Sequence, residues 1–332
     1  MATIADVARE AGVSRSTVSS VLTGRKFVAP STRERIEAAI AKLDFAVNAG
    51  ARALATARTM TIGVMVRFHE AEFSPALAAY LVALSDAAND AGYTVTLLTQ
   101  RESEAAARAV IAGRQVDGLV LLNVVEDDPR LEPIAAANYP AVLIGLPDAT
   151  HGIDAVDLDF AGAGGLLIDL LAERGHAAAT LLGWPRDLYD SGATYARRFA
   201  DAVDARAAEH GMTITRQYLP VAPDDVRAEL RRLLSAGDRP RSLIVHNDAA
   251  VALLPQVLHE LDLHSPDDIS ITSLHSAELT QLFGLPFTCV ESRPQTVSAT
   301  AIELLLGRMS SPASAPRVRL IDPVITERRT IS

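Results

Sequence analysis

From Thr61 to the end of the chain, short apolar runs alternate with longer stretches whose apolar residues recur at helical spacing. The apolar runs of strand length lie at 61–66, 93–98, 117–122, 141–145, 179–183, 242–246 and 268–274. The helix-like stretches lie at 75–91, 101–113, 160–174, 194–210, 224–235 and 249–261. This alternation predicts an α/β body of parallel sheets flanked by helices. The strands are too many for one compact sheet, so we expect two lobes.

The first 46 residues have a different pattern, which predicts three short helices. Thr3 with Asp6 three positions later is typical of a helix N-terminus, and Gly12 is placed where a chain leaving a helix often needs a positive φ. Ser14 is placed to cap the second helix. The apolar faces of these two helices comprise Ile4, Val7, Ala8 and Ala11, and then Thr17, Val18, Val21 and Leu22.

A third helix is expected to open after Pro30, where Ser31 and Glu34 have the spacing of a capping box. Its inward face would comprise Ile36, Ala39, Ile40 and Leu43. Two helices joined by a tight turn with glycine form a helix-turn-helix, whose second helix enters the major groove of DNA. The pattern by itself also fits a small helical bundle with a polar exposed face.

The second helix would present its N-terminal side chains to base edges. Arg15 is the best candidate for a bidentate contact to guanine. Ser16 and Ser20 are further candidates for base contacts, whereas Ser14, Thr17 and Ser19 are better placed for phosphates.

Charge is unevenly distributed along the chain. Residues 1–60 contain nine basic and five acidic residues, a net charge of +4, so the rest of the chain accounts for −14 of the total of −10. This asymmetry favours a small nucleic-acid-binding head on an acidic body, although chance clustering in a short window is the simpler alternative.

The amino-acid sequence of the N-terminal segment closely resembles that of one protein family. ATIADVAREAGVSRSTVSSVLTG, STRERIEAAIAKLDF and NAGARALATART, from Thr3 to about Thr59, are similar to the LacI/GalR (lactose-repressor) family of transcriptional regulators. The resemblance implies a repressor that binds operator DNA, with Thr3, Arg25 and Asn48 among the further contacts. It departs at Ser20, where the family usually has an arginine that reads guanine, so the operator should differ at that step unless Arg15 or Arg25 compensates.

The resemblance also implies a hinge helix that folds only on specific DNA. Arg52-Ala53-Leu54 matches the family's hinge, and Leu54 falls at the position that wedges into a base step of the minor groove. A short helix is unstable alone in water, so DNA and a partner hinge would supply the ordering energy. An ordinary alanine-rich linker is the plainer alternative.

The body resembles the same family more loosely, through VDGLVLL, DLDFAGAGGLLIDLLAERGH, HNDAAVALLPQVLHELDLHSPDDISI and LPFTCVESRPQ. The resemblance implies a periplasmic-binding-protein-like body of two Rossmann-like lobes with a ligand cleft at the carboxyl ends of their strands. The whole is then a multidomain protein with an all-α helix-turn-helix headpiece and an α/β body. The expected divisions are a headpiece at 1–46, a hinge at 47–60 and a body at 61–332, with lobe 1 at about 61–159 and 290–320 and lobe 2 at about 160–288.

The expected effector pocket departs from that of sugar-binding family members. Ala76 and Leu77 follow Pro75 where those members carry two phenylalanines, and Tyr195 replaces an arginine. Sugar hydroxyls favour charged, bidentate partners, so we expect an effector other than a common monosaccharide, or lost sensing. The candidate effector contacts are Phe73, Asp159, Trp184, Tyr195, Arg197, Asn247 and His275.

Other classes of protein are disfavoured by what the sequence lacks. It carries no nucleophile elbow, phosphate-binding loop or zinc-spaced Cys/His set, so we expect no enzyme, no metal and no cofactor. The N-terminus has no signal pattern, no run suggests a membrane span, and a single cysteine fits the reducing cytoplasm. With no heptad-rich C-terminal helix, we expect a homodimer on a pseudopalindromic operator. The alternatives are a cytoplasmic small-molecule-binding protein without a sensing-linked DNA role, or a regulator that no longer senses an effector.

Overall fold

The computed structural model of the protein describes residues 2–23, 27–45, 58–67, 74–98 and 103–332. Several predicted residues lie outside these ranges, namely Arg25, Asn48, Arg52, Leu54 and Phe73. By its internal contacts the chain forms two units. The first comprises Met1–Thr61 with Gln115–Asp117, and the second comprises Ile62–Arg114 with Gly118–Ser332.

The described residues of the first unit form three helices, as predicted: α1 (Ile4–Ala11), α2 (Arg15–Thr23) and α3 (Pro30–Lys42). A capping box opens α1, because the Thr3 side chain accepts from the Asp6 amide while the Asp6 carboxylate accepts from the Thr3 amide. Gly12 ends it at φ 64°. Ser14 Oγ accepts from the Thr17 amide at 3.1 Å, which confirms the cap of α2.

The start of α3 was predicted wrongly. The helix begins at Pro30, with Ala29 at the N-cap and no side-chain capping bond, so Ser31 and Glu34 form no capping box. Proline suits the first helical position because its φ is already helical and its missing N–H would have no partner there. The core between the helices contains the predicted apolar faces, with Val7, Ala8, Ala11, Val18, Ile36 and Ala39 buried.

The described residues of the second unit form two six-stranded sheets. The first has the strand order β11-β5-β4-β3-β1-β2. Its strands are β1 (Thr61–Val66), β2 (Thr94–Leu98), β3 (Gly118–Leu122), β4 (Ala141–Ile144), β5 (Asp154–Leu158) and β11 (Val318–Ile321). The pairs from β11 through β5, β4 and β3 to β1 are parallel. The helices that follow these strands in the chain are α4 (Pro75–Asp90), α5 (Glu104–Gly113) and α6 (Leu131–Ala136).

The second sheet has the strand order β12-β10-β9-β8-β6-β7. Its strands are β6 (Ala178–Gly183), β7 (Thr213–Tyr218), β8 (Ser242–Val245), β9 (Ser270–Leu274), β10 (Thr288–Val290) and β12 (Ile325–Thr326). All pairs are parallel except β10 with β12. The helices of this part are α7 (Phe160–Glu173), α8 (Arg186–Asp190), α9 (Thr194–Glu209), α10 (Pro223–Leu234), α11 (Asp248–Glu260) and α12 (Ala277–Leu282).

We call the first sheet with α4, α5, α6 and α13 (Pro294–Ser310) lobe 1, and the second sheet with its helices lobe 2. α13 packs on α4 and on the first sheet. The chain passes from lobe 1 to lobe 2 after β5, returns after β10, and passes again between β11 and β12. In each sheet the order reverses beside the first strand to enter it, which is the switch point where doubly wound sheets bind ligands.

The α/β fold class with two lobes is thus confirmed, and every predicted strand is present within two residues of its expected bounds. Five strands lie outside the apolar runs given above: β5, β7, β10, β11 and β12. Two of them break the apolar pattern that prediction relied on. β5 carries Asp154 and Asp157, and β7 is an edge strand in which only Ile214 and Tyr218 are apolar.

Candidate functional site

The helix-turn-helix presents an unpaired cation at the start of its second helix. Arg15 is exposed, and none of the described residues forms a hydrogen bond or ion pair with its guanidinium. Ser14 and Ser16 are also exposed, and their hydroxyl groups lie 2.7 Å apart. A free guanidinium beside hydroxyl groups at a helix N-terminus can bind both phosphates and base edges.

The other predicted DNA contacts within the described ranges vary in their accessibility. Thr3 is exposed and is engaged in the capping box of α1. Thr17, Ser19 and Ser20 are half-buried. The Ser20 hydroxyl donates to the Ser16 carbonyl at 2.8 Å, so its hydrogen is already used within the helix. No contact with DNA is tested by this geometry, and these assignments stay predictions.

A cavity of about 740 Å³, counted with its open mouth, lies between the carboxyl ends of the two sheets in the second unit. Lobe 1 and lobe 2 both contribute to the lining, which comprises Ser74, Ala76, Leu77, Tyr80, Leu122, Asn123, Val124, Ile144, Gly145, Asp157, Phe160, Trp184, Thr194, Tyr195, His246, Asp248, Leu274 and Ser292.

Two of the predicted effector contacts, Trp184 and Tyr195, line this cavity. The edge of one ring meets the face of the other, with ring centroids 5.9 Å apart and an interplanar angle of 89°. Arg197 is exposed and lies outside the lining. Phe73 lies outside the described residues.

Two further predicted contacts are occupied as helix caps outside the lining. The Asp159 carboxylate accepts from the Gly162 amide at 2.9 Å at the start of α7. Asn247 Oδ1 accepts from the Ala250 amide at 3.0 Å at the start of α11. Both side chains therefore hold a helix that borders the cavity.

Asp248, directly after the Asn247 cap, and Asp157, two residues before the Asp159 cap, both line the cavity. Asp248 begins α11 in lobe 2, and its Oδ2 accepts from the Ser74 hydroxyl at 3.1 Å and from the Ala76 amide at 3.2 Å, at the start of α4 in lobe 1. Its Oδ1 lies 3.0 Å from Nε2 of His275. We call these contacts the Asp248 clasp, because they join the two lobes through one buried carboxylate.

His246 lies at the centre of an aromatic cluster in lobe 2. Its ring centroid is 4.5–6.2 Å from the centroids of Phe160, Trp184, Tyr195 and Phe199. Burial, and secondarily the nearby His275, lowers the pKa of His246 to about 3. The ring is therefore neutral near neutral pH, and it adds a polar edge but no charge to the cavity.

Asp157, at the end of β5, is the least compensated charge of the lining. Burial raises the pKa of its carboxyl to about 7, against the opposing effects of Arg198 and of the Leu158 and Leu146 amides, while Asp159 adds to the rise. The Leu158 amide donates to Oδ1 at 3.0 Å. Oδ2 has no hydrogen-bond partner among the described residues.

Sequence reasoning missed Asp157, His246 and Asp248. Asp157 had no signal in the sequence, because β5, whose five residues are all buried, was not predicted as a strand. The signal for the other two was the run His246-Asn247-Asp248 directly after a buried strand, of which we singled out only the middle residue.

Metal-binding clusters and membrane-spanning helices are absent from the described residues. No group of three or more His, Cys, Asp or Glu side chains there could hold a metal ion. No helix there is both long and apolar enough to cross a lipid bilayer.

Comparisons with known proteins match both parts of the chain. Residues 3–48 match the family described as bacterial regulatory proteins, lacI family, and residues 168–331 match a periplasmic binding protein-like domain. The HTH-type transcriptional regulator CelR of Thermobifida fusca is 27% identical over 96% of this chain and 95% of that protein. The ribose operon repressor of Escherichia coli (strain K12) is 27% identical over 99% of each.

One solved structure, the lac repressor dimer bound to operator and the anti-inducer ONPF, superposes with a TM-score of 0.79. It is 23% identical and the match covers 99% of this chain and 98% of that one. At that identity the likeness shows the fold, which agrees with the two sheets and the helical headpiece described above.

Proposed function

Since the chain belongs to the lacI family of bacterial regulatory proteins, we propose that it is a sequence-specific DNA-binding repressor whose operator affinity changes when a small molecule fills the cavity between its lobes. One observation carries the proposal. The same chain combines a helix-turn-helix whose Arg15 guanidinium has no partner among the described residues with a cavity between two lobes whose lining includes polar atoms that likewise have none. The relatives named above are regulators and not enzymes.

Arg15 would read a guanine in the major groove, with Ser16 beside it and Ser14 and Thr17 at phosphates. Because the hydrogen of Ser20 is held by the Ser16 carbonyl, Ser20 can only accept a hydrogen bond from a base. Residues 1–46 would act as the headpiece, 47–60 as the hinge and 61–332 as the sensing body.

We also propose a cytoplasmic homodimer. Two copies match the two half-sites of a pseudopalindromic operator, and the lac repressor in the structure compared above is a dimer. Val82 on α4 is 63% exposed and Leu97 on β2 is 41% exposed, so lobe 1 keeps apolar side chains that a second copy could cover.

A coupling mechanism follows from the Asp248 clasp. A ligand that changes the distance between Asp248 and the start of α4 would bias the relative position of the lobes. To switch DNA binding usefully, the bias must differ between free and DNA-bound protein by about 1–3 kcal/mol.

The test is selection of bound duplexes from a random DNA pool by the full-length protein. We expect a pseudopalindromic consensus, and a loss of discrimination between consensus and random DNA in Arg15→Ala. Arg33→Ala is the matched control, because Arg33 is an exposed arginine of the same unit on α3. Failure to enrich any sequence would refute the proposal, and equal effects of the two substitutions would restrict Arg15 to a phosphate contact.

A further inference from the structure

Three hydroxyl groups of the cavity already use their hydrogens within the protein. The hydroxyl groups of Ser74, Tyr80 and Thr194 each donate to an acceptor of the protein, at 3.1, 2.8 and 3.2 Å. Asn123 already uses its amide nitrogen to donate to the Arg67 carbonyl at 2.7 Å. Since each hydroxyl has one hydrogen, the oxygens of the first three side chains can only accept from a ligand.

Among the described residues, the lining carries negative charge and includes no lysine or arginine. Its two carboxylates are those of Asp157 and Asp248. Asp248 is fully engaged by the clasp, whereas Asp157 Oδ2 has no partner among the described residues. A buried carboxylate without a partner raises the free energy of the folded protein. A ligand that donates hydrogen bonds to it or carries positive charge would lower that free energy.

The charged and titratable groups that face Asp157 do not fully compensate its negative charge. Arg198, on α9, is half-buried and donates to the Leu146 carbonyl at 3.4 Å, and it lowers the pKa of Asp157 only in part. Asp159 and Tyr80 are the other titratable groups that interact with it, and neither supplies positive charge. The carboxyl is therefore largely neutral in the empty site below pH 7 and would ionise fully beside a bound cation.

Aromatic faces complete the arrangement. The rings of Phe160 and Trp184 lie 6.1 and 5.9 Å from the ring of Tyr195, and all three line the cavity. Their negative faces attract cations, and their carbon frames accommodate an apolar or flat molecule. Trp184 Nε1 has no hydrogen-bond partner among the described residues, so it can donate to one acceptor on the ligand.

We propose that the effector is a small organic cation, an amine or amidine on an apolar or aromatic frame, whose N–H groups bind Asp157 between the rings of Phe160, Trp184 and Tyr195. Calling this ligand an effector rests on the proposed function, but its binding to the protein is tested without DNA. Among the described lining residues, an anion would meet two carboxylates and no cation, and a neutral sugar would find three hydroxyl oxygens that can only accept its hydrogens.

Trp184, the single tryptophan of the chain, reports occupancy of the cavity directly. We would titrate the full-length protein at pH 8 with phenethylamine, phenethyl alcohol and phenylacetate, which share one frame and differ in charge. D-ribose and D-glucose extend the series. We expect phenethylamine to change the fluorescence at a concentration at least tenfold lower than any other probe.

Asp157→Asn should weaken phenethylamine binding at least tenfold and leave phenethyl alcohol unaffected. Asp187→Asn, which removes an exposed carboxylate three residues from Trp184, is the matched control and should leave all titrations unchanged. In the wild type, amine affinity should fall by up to tenfold for each pH unit below 7, because the carboxyl must first lose its proton. The Asp157→Asn variant should lose this pH dependence.

Equal or tighter binding of phenylacetate, the alcohol or a sugar would overturn the proposal, as would the absence of any response to phenethylamine. Binding of the same protein to its selected duplex is measured in parallel. A protein that binds DNA specifically but not the amine refutes the ligand class alone, whereas a protein that binds the amine but no DNA sequence refutes the proposed function.

Discussion

Replacing Asp157 by asparagine should change the stability of the second unit in a strongly pH-dependent way. Folding raises the pKa of this carboxyl from 3.8 to about 7, mainly through burial. The folded state therefore keeps a proton that the unfolded state releases above pH 4. Since the unfolded state binds fewer protons between pH 4 and pH 7, the free energy of unfolding falls across this window and levels off above it.

The magnitude follows from the same two values. Each pH unit between them corresponds to about 1.4 kcal/mol, so Asp157 lowers the free energy of unfolding by up to about 4 kcal/mol at pH 8 relative to pH 4. Asparagine has the shape of the protonated acid and cannot ionise. We therefore expect Asp157→Asn to match the wild type near pH 4 and to exceed it by as much as this amount at pH 8.

The assay is equilibrium unfolding in urea at several pH values, followed by the fluorescence of Trp184, which lies in the same unit as Asp157. The difference between variant and wild type is the informative quantity, because other carboxyls such as Asp154 and Asp169 have lowered pKa values and give slopes of the opposite sign. Asp187→Asn serves as the control. A difference that is constant from pH 4 to pH 8, or that shrinks as the pH rises, would refute the reasoning.

Three further predictions concern other parts of the chain. Thr3→Ala should cost about 1 kcal/mol and speed hydrogen exchange in α1, while Thr3→Ser should not; equal exchange in both would contradict the capping box. Asp248→Ala breaks the clasp and should speed exchange at the start of α4 and enlarge the radius of gyration in solution scattering; unchanged values would show that the clasp does not hold the lobes. Phe199→Ala should cost about 3–5 kcal/mol in urea unfolding because Phe199 is fully buried, whereas Phe27→Ala, at a side chain 92% exposed, should cost under about 0.5; similar costs would contradict the packing.

Much of the fold could be predicted because most strands are buried on both sides and read as continuous apolar runs. β3 and β4 are buried at every residue, and their continuous apolar runs predicted both strands. β5 is equally buried but contains Asp154 and Asp157, so its pattern is broken. The first of these carboxylates is satisfied by Arg308 and Arg317, which lie more than 150 residues away in the chain and have no local signal in the sequence.

The candidate site could be predicted less well, because neighbouring residues of a strand end point in different directions. Asn247 caps its own helix while Asp248 reaches across to the other lobe. His246 lines the cavity, whereas His275, which we had favoured, forms part of the clasp. Trp184 directly follows β6, and Tyr195 was singled out because it replaces an arginine of sugar-binding family members; both line the cavity.

The most direct test of the account is the affinity of the full-length protein for two labelled duplexes, measured by fluorescence anisotropy at one stated salt concentration near 150 mM. One duplex carries the sequence recovered by selection, and the other carries the same bases scrambled. We predict at least about 1,000-fold tighter binding to the selected duplex. Equal affinities for the two duplexes would contradict the claim that this chain reads DNA sequence.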